Sequence, residues 1–351
     1  MNMAKLKVAF GIPILEFIKA HPVCSSKEIH DELKNFIAYA TVKRMIKSLL
    51  ADNFIITTGN GKSTRYEISK SYSLIHPIEL ELYFQKEIDE REIKDKFNHD
   101  LIKDTLTNVA LFTDDELFHL THFQDKFKEN ISKLSSTEFK NEYERLAIDL
   151  SWKSSQIEGN TYSLLETEKL LKEKETAGGK TKDEATMLLN HKEALDFILD
   201  HPTYVQKLTI ATIEDLHSIL IKELHVERNM RNRRVGISGT NYKPLDNEFQ
   251  IREAMEDMCA IINERKNIFE KALLVLVLIS YIQPFVDGNK RTARIISNAI
   301  LLNFHYCPIS FRTVDSMDYK KAMLIFYEQN NISAFKKIFI DQFEFAVETY
   351  F

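Results

Sequence analysis

Helix breakers are scarce in this sequence. Gly occurs nine times and Pro seven times in 351 residues, against usual shares of about 7% and 5%. Few breakers, with Leu, Ile, Lys and Glu abundant, imply a mainly α fold. The length suits two or three domains. Cysteine is equally sparse. Cys24, Cys259 and Cys307 are odd in number, far apart and outside any C-x-x-C, which excludes a disulfide framework and fits a reducing, cytoplasmic setting. No H-E-x-x-H occurs and the eleven His are scattered, so no dedicated zinc site is expected. A strong charge of one sign is missing too: the net charge of −5 sets up no global field for nucleic acid or membrane. The most apolar run, 272–282, falls well short of the roughly 20 residues a bilayer needs and reads as a buried helix. Lys5 and Lys7 precede an apolar stretch, but Glu16 interrupts it and no small-residue cleavage site follows. It reads as a first core helix, not a signal segment.

Residues 1–75 have their own pattern. Helices are expected at 12–20, at 27–33 behind the caps Ser25 and Ser26, and at 40–53 with Val42, Met45, Ile46, Leu49 and Leu50 on one face. Two short strands, 54–58 and 64–69, flank Gly59-Asn60-Gly61-Lys62. Three helices and a hairpin resemble a winged helix-turn-helix domain. The third helix presents Lys43, Arg44 and Lys47, and the hairpin Lys62 and Arg65. The segment has 11 Lys/Arg and 6 Asp/Glu, a local +5, which leaves −10 for the remainder. That asymmetry suits DNA binding; protein contact is the alternative. The glycines of G-N-G-K-S are not a phosphate loop, because Ile56 stands where the pattern needs its first Gly.

Residues 76–140 read as a charged helical connection without chemistry. From about Asn141 a helix runs to Ser154-Ser155-Gln156-Ile157-Glu158-Gly159-Asn160. Ser154 and Glu158 are four apart and share a face. Gly159 is a natural stop, and a carboxylate in a last helical turn opposes the macrodipole, so Glu158 calls for a compensating cation. At 231–244, R-N-R-R-V-G-I-S-G-T-N-Y-K-P, the alternation around Val235 and Ile237 reads as a short exposed hairpin. Such an edge can accept another chain; an ordinary loop is the alternative.

The densest chemistry lies at 282–294, I-Q-P-F-V-D-G-N-K-R-T-A-R, directly behind the apolar run. Pro284 ends one helix, and Phe285 is expected to anchor the turn. Asp287 is the kind of oxygen ligand Mg²⁺ uses. Gly288 frees a turn, Asn289 can cap the next helix, and a helix N-terminus binds anions. Arg291 and Arg294, three apart, reach the same anion. Together they describe a site for a nucleoside triphosphate with its Mg²⁺.

Residues 284–294 resemble the signature of the Fic (Fido) family, H-P-F-x-[D/E]-G-N-[G/K]-R-x-x-R, matching every defined position but the first. Ser154-x-x-x-Glu158-Gly159 resembles that family's inhibitory motif, and 231–244 its target-docking flap, including Arg231, Val235, Ile237 and Gly239. The resemblance implies a Fic domain over 141–351 with an inhibitory helix at about 141–158, preceded by a winged helix. It implies Asp287 on Mg²⁺, with Gly288, Asn289 and Lys290 around the α- and β-phosphates and Arg291 on phosphate. Arg294 would hold the γ-phosphate or, when inhibited, Glu158. The implied reaction moves AMP from ATP to a Ser, Thr or Tyr hydroxyl of a protein, and a homodimer is an expectation. Gln283 departs from the family, which has its general-base His there; an amide takes no proton near neutral pH. The implied activity is therefore weakened or silenced. The alternatives are a nucleotide-binding transcription regulator without catalysis and a hydrolase that removes AMP.

Overall fold

In the computed structural model, which describes residues 11–107 and 109–351, the chain divides into two compact units. The described part of the first is 11–77 with 109–117; the second comprises Ile78–Thr107 and Phe118–Phe351. The region 76–140 is thus no uniform helical connection. It holds short turns, a five-residue π-type turn at Leu101–Thr105, and the long helix α4, Asp114–Ser132.

The first unit contains α1 (Ile12–Ala20), α2 (Ser26–Leu33), α3 (Tyr39–Ala51), β1 (Ile55–Thr58) and β2 (Arg65–Ile68). Ser25 closes a reciprocal capping box with Glu28 that starts α2. Ile14, Ile18, Ile29, Val42, Met45 and Ile46 form the core. β1 and β2 pair antiparallel, with Thr58 opposite Arg65. Lys43, Arg44 and Lys47 stay exposed on α3, because the apolar positions between them occupy the buried face.

The second unit is helical: α5 (Ser136–Ile157), α6 (Leu164–Glu173), α7 (Lys182–Asp200), α8 (Ile210–Leu220), α9 (Glu248–Glu264), α10 (Ile268–Ile282), α11 (Asn289–Asn303), α12 (Ser316–Gln329) and α13 (Ser333–Thr349). α10 is apolar on every side and buried from Phe269 to Ile282, as a central helix must be. Its most extensive neighbour is α11. Two charges in its first turn are satisfied locally. Glu270 accepts from Arg265, and the Lys271 ammonium donates to the Ile262 and Asn263 carbonyls.

The segment 231–244 differs from expectation. It is not a hairpin: the only ladder among the described residues is β1 with β2. It runs extended, turning at Gly239 (φ +90°), and makes one parallel bridge, Lys243 with Lys96. The Lys243 N–H donates to the Asp95 carbonyl and the Arg91 guanidinium to the Gly239 carbonyl. Its partner is therefore a distant stretch of chain, not its own other half. No described helix is long and apolar enough to cross a membrane.

Candidate functional site

The site forms where α10 ends and α11 begins. Gln283 takes the left-handed conformation (φ 53°) and its N–H returns to the Ile279 carbonyl, closing α10. Phe285 is fully buried, as expected, and stacks on the His217 ring at 3.6 Å between centroids. Gly288 (φ +81°) precedes α11. A Cβ there would meet the His217 ring at 3.2 Å, so the turn needs glycine for conformation and for room. Asn289 is the first residue of α11 rather than its cap. Its side chain accepts from the Phe285 N–H and donates to the Phe285 carbonyl and to Gln283 Oε1. It thus braces the turn from inside. Through the geometry of any helix start, the first N–H groups of α11 have no partner within the helix.

The charges are paired across this turn. Arg291, nearly buried, donates to Asp287 Oδ2 at 2.9 Å, while the Asp287 side chain is 63% exposed. Arg294 is completely buried. Its Nε donates to Ser154 Oγ at 2.8 Å and its Nη2 to Glu158 Oε1 at 2.8 Å; Nη1 is enclosed with no partner. Glu158 Oε2 accepts from the Lys290 ammonium at 3.1 Å. Burial opposes charging Glu158, but the Arg294 and Lys290 charges outweigh it and hold the carboxyl below its usual range. These two cations are the compensation that a carboxylate at the end of α5 requires. α5 brings them within reach because its capping box, Ser135 with Glu138, fixes its start, and Gly159 (φ +97°) ends it just after Glu158.

Arg231 is buried rather than displayed. Its Nε donates to the Gln283 carbonyl at 2.6 Å, its Nη1 to the Arg233 carbonyl at 2.7 Å, and its N–H to the Pro284 carbonyl at 2.9 Å. It anchors the extended segment to the turn. Val235 and Ile237 are half-buried and Gly239 follows; the Gly239 carbonyl accepts from Arg91, away from the charged cluster. Arg65 lies on β2 of the other unit, and the Lys62 side chain lies outside the described residues.

Sequence reasoning missed His217 and His191. His217 is buried on α8, with Nδ1 at 3.2 Å from Thr292 Oγ1. Burial first, then the Arg291 charge, push its imidazole down to about 3. His191 is buried on α7 and held well below the usual range by burial and by Arg294 and Arg291. A lone His on an apolar helix face gives no local signal of such neighbours.

The residues fit a nucleotide and its cation. One exposed carboxylate, Asp287, beside a helix start suits Mg²⁺, which takes one or two carboxylates plus phosphate oxygens. The enclosed Arg294 Nη1, which has no hydrogen-bond partner, can donate to an anion's oxygen. Among the described residues, no three His, Cys, Asp or Glu cluster to hold a metal by themselves.

Residues 207–301 match the Fic/DOC family. A curated protein of Nematostella vectensis, named Protein adenylyltransferase Fic, is 31% identical over 172 residues, covering 47% of this chain and 40% of its own length. A protein of the same name from Culex quinquefasciatus is 30% identical over 162 residues, 44% of this chain and 31% of its own. The chain therefore spans less than half the length of these relatives. A Fic domain containing signalling protein from Bacteroides thetaiotaomicron superposes with a TM-score of 0.57 at 20% identity, over 66% of this chain and 94% of that one. Fic-1 (134–508) from C. elegans gives 0.57 at 20% identity, over 67% and 72%. At such identity these two establish the fold.

Proposed function

Because the chain carries a Fic/DOC domain at residues 207–301, we propose that it is a protein adenylyltransferase whose nucleotide site is occupied by its own Glu158. The observation that supports this most is the fully buried Arg294, paired at 2.8 Å with Glu158 and keeping one unpartnered nitrogen. Glu158 neutralises the Arg294 and Lys290 charges that ATP phosphates would otherwise meet, so inhibition is a competition for charge.

When ATP displaces Glu158, Arg294 and Lys290 become available to its phosphates. The N–H groups at the start of α11 and Arg291 surround the rest. Asp287 would hold Mg²⁺, which neutralises phosphate charge. The exposed segment 233–240 would present the target chain, with Arg231 fixing the segment's distance from the turn. In the reaction of the family, AMP passes from ATP to a protein hydroxyl, the hydroxyl proton goes to a base at the position of Gln283, and pyrophosphate leaves. Gln283 occupies the position of the general base, and losing such a base typically lowers the rate about 10²–10⁴-fold. Positioning and electrostatic stabilisation remain.

The test uses ATP labelled on its α-phosphate, Mg²⁺ and lysate proteins. The Glu158→Gly, Gln283→His double variant is expected to label itself or a lysate protein, and the native chain far less. A folded double variant that transfers nothing would remove the proposal's main support.

For the first unit we propose DNA binding through α3. Lys43, Arg44 and Lys47 are exposed on one helix beside a two-stranded wing, within a segment of net charge +5.

A further inference from the structure

Gln283 raises a question about the acceptor. A neutral hydroxyl must lose a proton as it attacks, and the amide at 283 cannot take one. Its side chain is, moreover, engaged at both ends: Nε2 donates to the Ser280 carbonyl at 2.6 Å and Oε1 accepts from Asn289 at 3.0 Å. Neither imidazole of the site replaces it, because His217 and His191 are fully enclosed. Asp287 is engaged with Arg291 and would hold the cation, and Glu158, paired with Arg294 and Lys290 until ATP displaces it, is absent from the Glu158→Gly protein tested below.

A second observation concerns the segment beside the turn. Arg231 ties it to Pro284 and Gln283, and Arg233 and Arg234 follow immediately. Their side chains are 59% and 87% exposed. Arg233 lies 3.5 Å from Glu227, and Arg234 2.7 Å from Asp246. Such exposed pairs contribute little, about 0–1 kcal/mol, and readily exchange for a phosphate, which a guanidinium grips with two parallel hydrogen bonds.

We propose that the native site transfers AMP to an acceptor that is already anionic, a phosphate monoester, guided by Arg233 and Arg234. A phosphate monoester is largely dianionic at neutral pH, so no base is needed. One of its oxygens attacks the α-phosphorus of ATP. The bond from that phosphorus to the α,β-bridging oxygen breaks, and pyrophosphate departs with the electron pair. The product is a phosphoanhydride between AMP and the acceptor, and no proton changes hands. The inference rests on the adenylyltransferase reading and names its acceptor class.

The test takes Glu158→Gly with Gln283 retained, α-labelled ATP and Mg²⁺. It offers a phosphoserine peptide, the same peptide unphosphorylated, and AMP as a free phosphate monoester. Label on the phosphopeptide assigns a phosphorylated protein; label on AMP alone assigns a free metabolite; both support the inference. Arg233→Ala with Arg234→Ala should lower the yield about tenfold or more, and Arg233→Lys with Arg234→Lys should recover part of it. The Gln283→His, Glu158→Gly variant on the unphosphorylated peptide is the control. If the control labels a hydroxyl while the Gln283 protein labels no phosphate acceptor, this inference fails alone. If neither transfers, the adenylyltransferase reading fails with it. Equal labelling of both peptides by the Gln283 protein also overturns the inference.

Discussion

His217 shows how single residues under the turn set its behaviour. Its ring packs flat on Phe285 and lies against Gly288, so a charged imidazole there would disturb the cradle. Burial, then Arg291, hold it neutral, down to about 3, whereas an unfolded His titrates near 6.5. The unfolded chain therefore gains a proton that the native chain refuses. This ring's contribution to stability is fully present above about pH 6.5 and is lost progressively as pH falls toward about 3. Going from pH 7 to pH 5 should remove about 2 kcal/mol through this group alone. His217→Phe preserves the stack and removes the titration, so its Tm should fall less over that interval than the native protein's. Parallel Tm curves would contradict the assignment.

At the scale of elements, Arg231 joins the end of α10 to the extended segment by satisfying carbonyls that the helix end leaves open. Arg231→Met should lower unfolding stability by about 3 kcal/mol, read from urea midpoints. Arg234→Met, on the exposed side of the same segment, should stay within about 0.5 kcal/mol. Equal losses would show that the anchoring is not specific to Arg231. The elements around the turn were legible because their signals are local. The unbroken apolar run of α10, Pro284 as its stop and Gly288 before α11 each act within a few residues. Glu158 was legible through its misfit, an acid at a helix C-terminus that demanded a cation. The segment 231–244 was not legible as built. Its alternation suggests a hairpin, but it bonds to Arg91 and Asp95 and bridges to Lys96, about 150 residues away, and no local pattern encodes that pairing. Asn289 is the first residue of α11 and not its cap, a difference of one position that the sequence does not show, because an Asn that braces a turn and an Asn that caps a helix look alike.

For the whole molecule, charge is divided between the two ends: +5 over 1–75 and −10 over the rest. If the basic end binds DNA, a gel shift should weaken steeply between low and high salt. Lys43→Ala, Arg44→Ala and Lys47→Ala together should abolish it while leaving the ATP binding proposed for the second unit unchanged. A shift that ignores salt, or survives the triple substitution, would assign the basic face to another partner.

Everything proposed for the catalytic end depends on Glu158 and ATP competing for Arg294 and Lys290. Calorimetric titration of ATP with Mg²⁺ into the native chain and into Glu158→Gly measures that directly. The account predicts that Glu158→Gly binds ATP tighter by roughly tenfold or more, equivalent to about 1.4 kcal/mol or more. Equal affinity in the two proteins, both folded, would mean that Glu158 does not guard the nucleotide site.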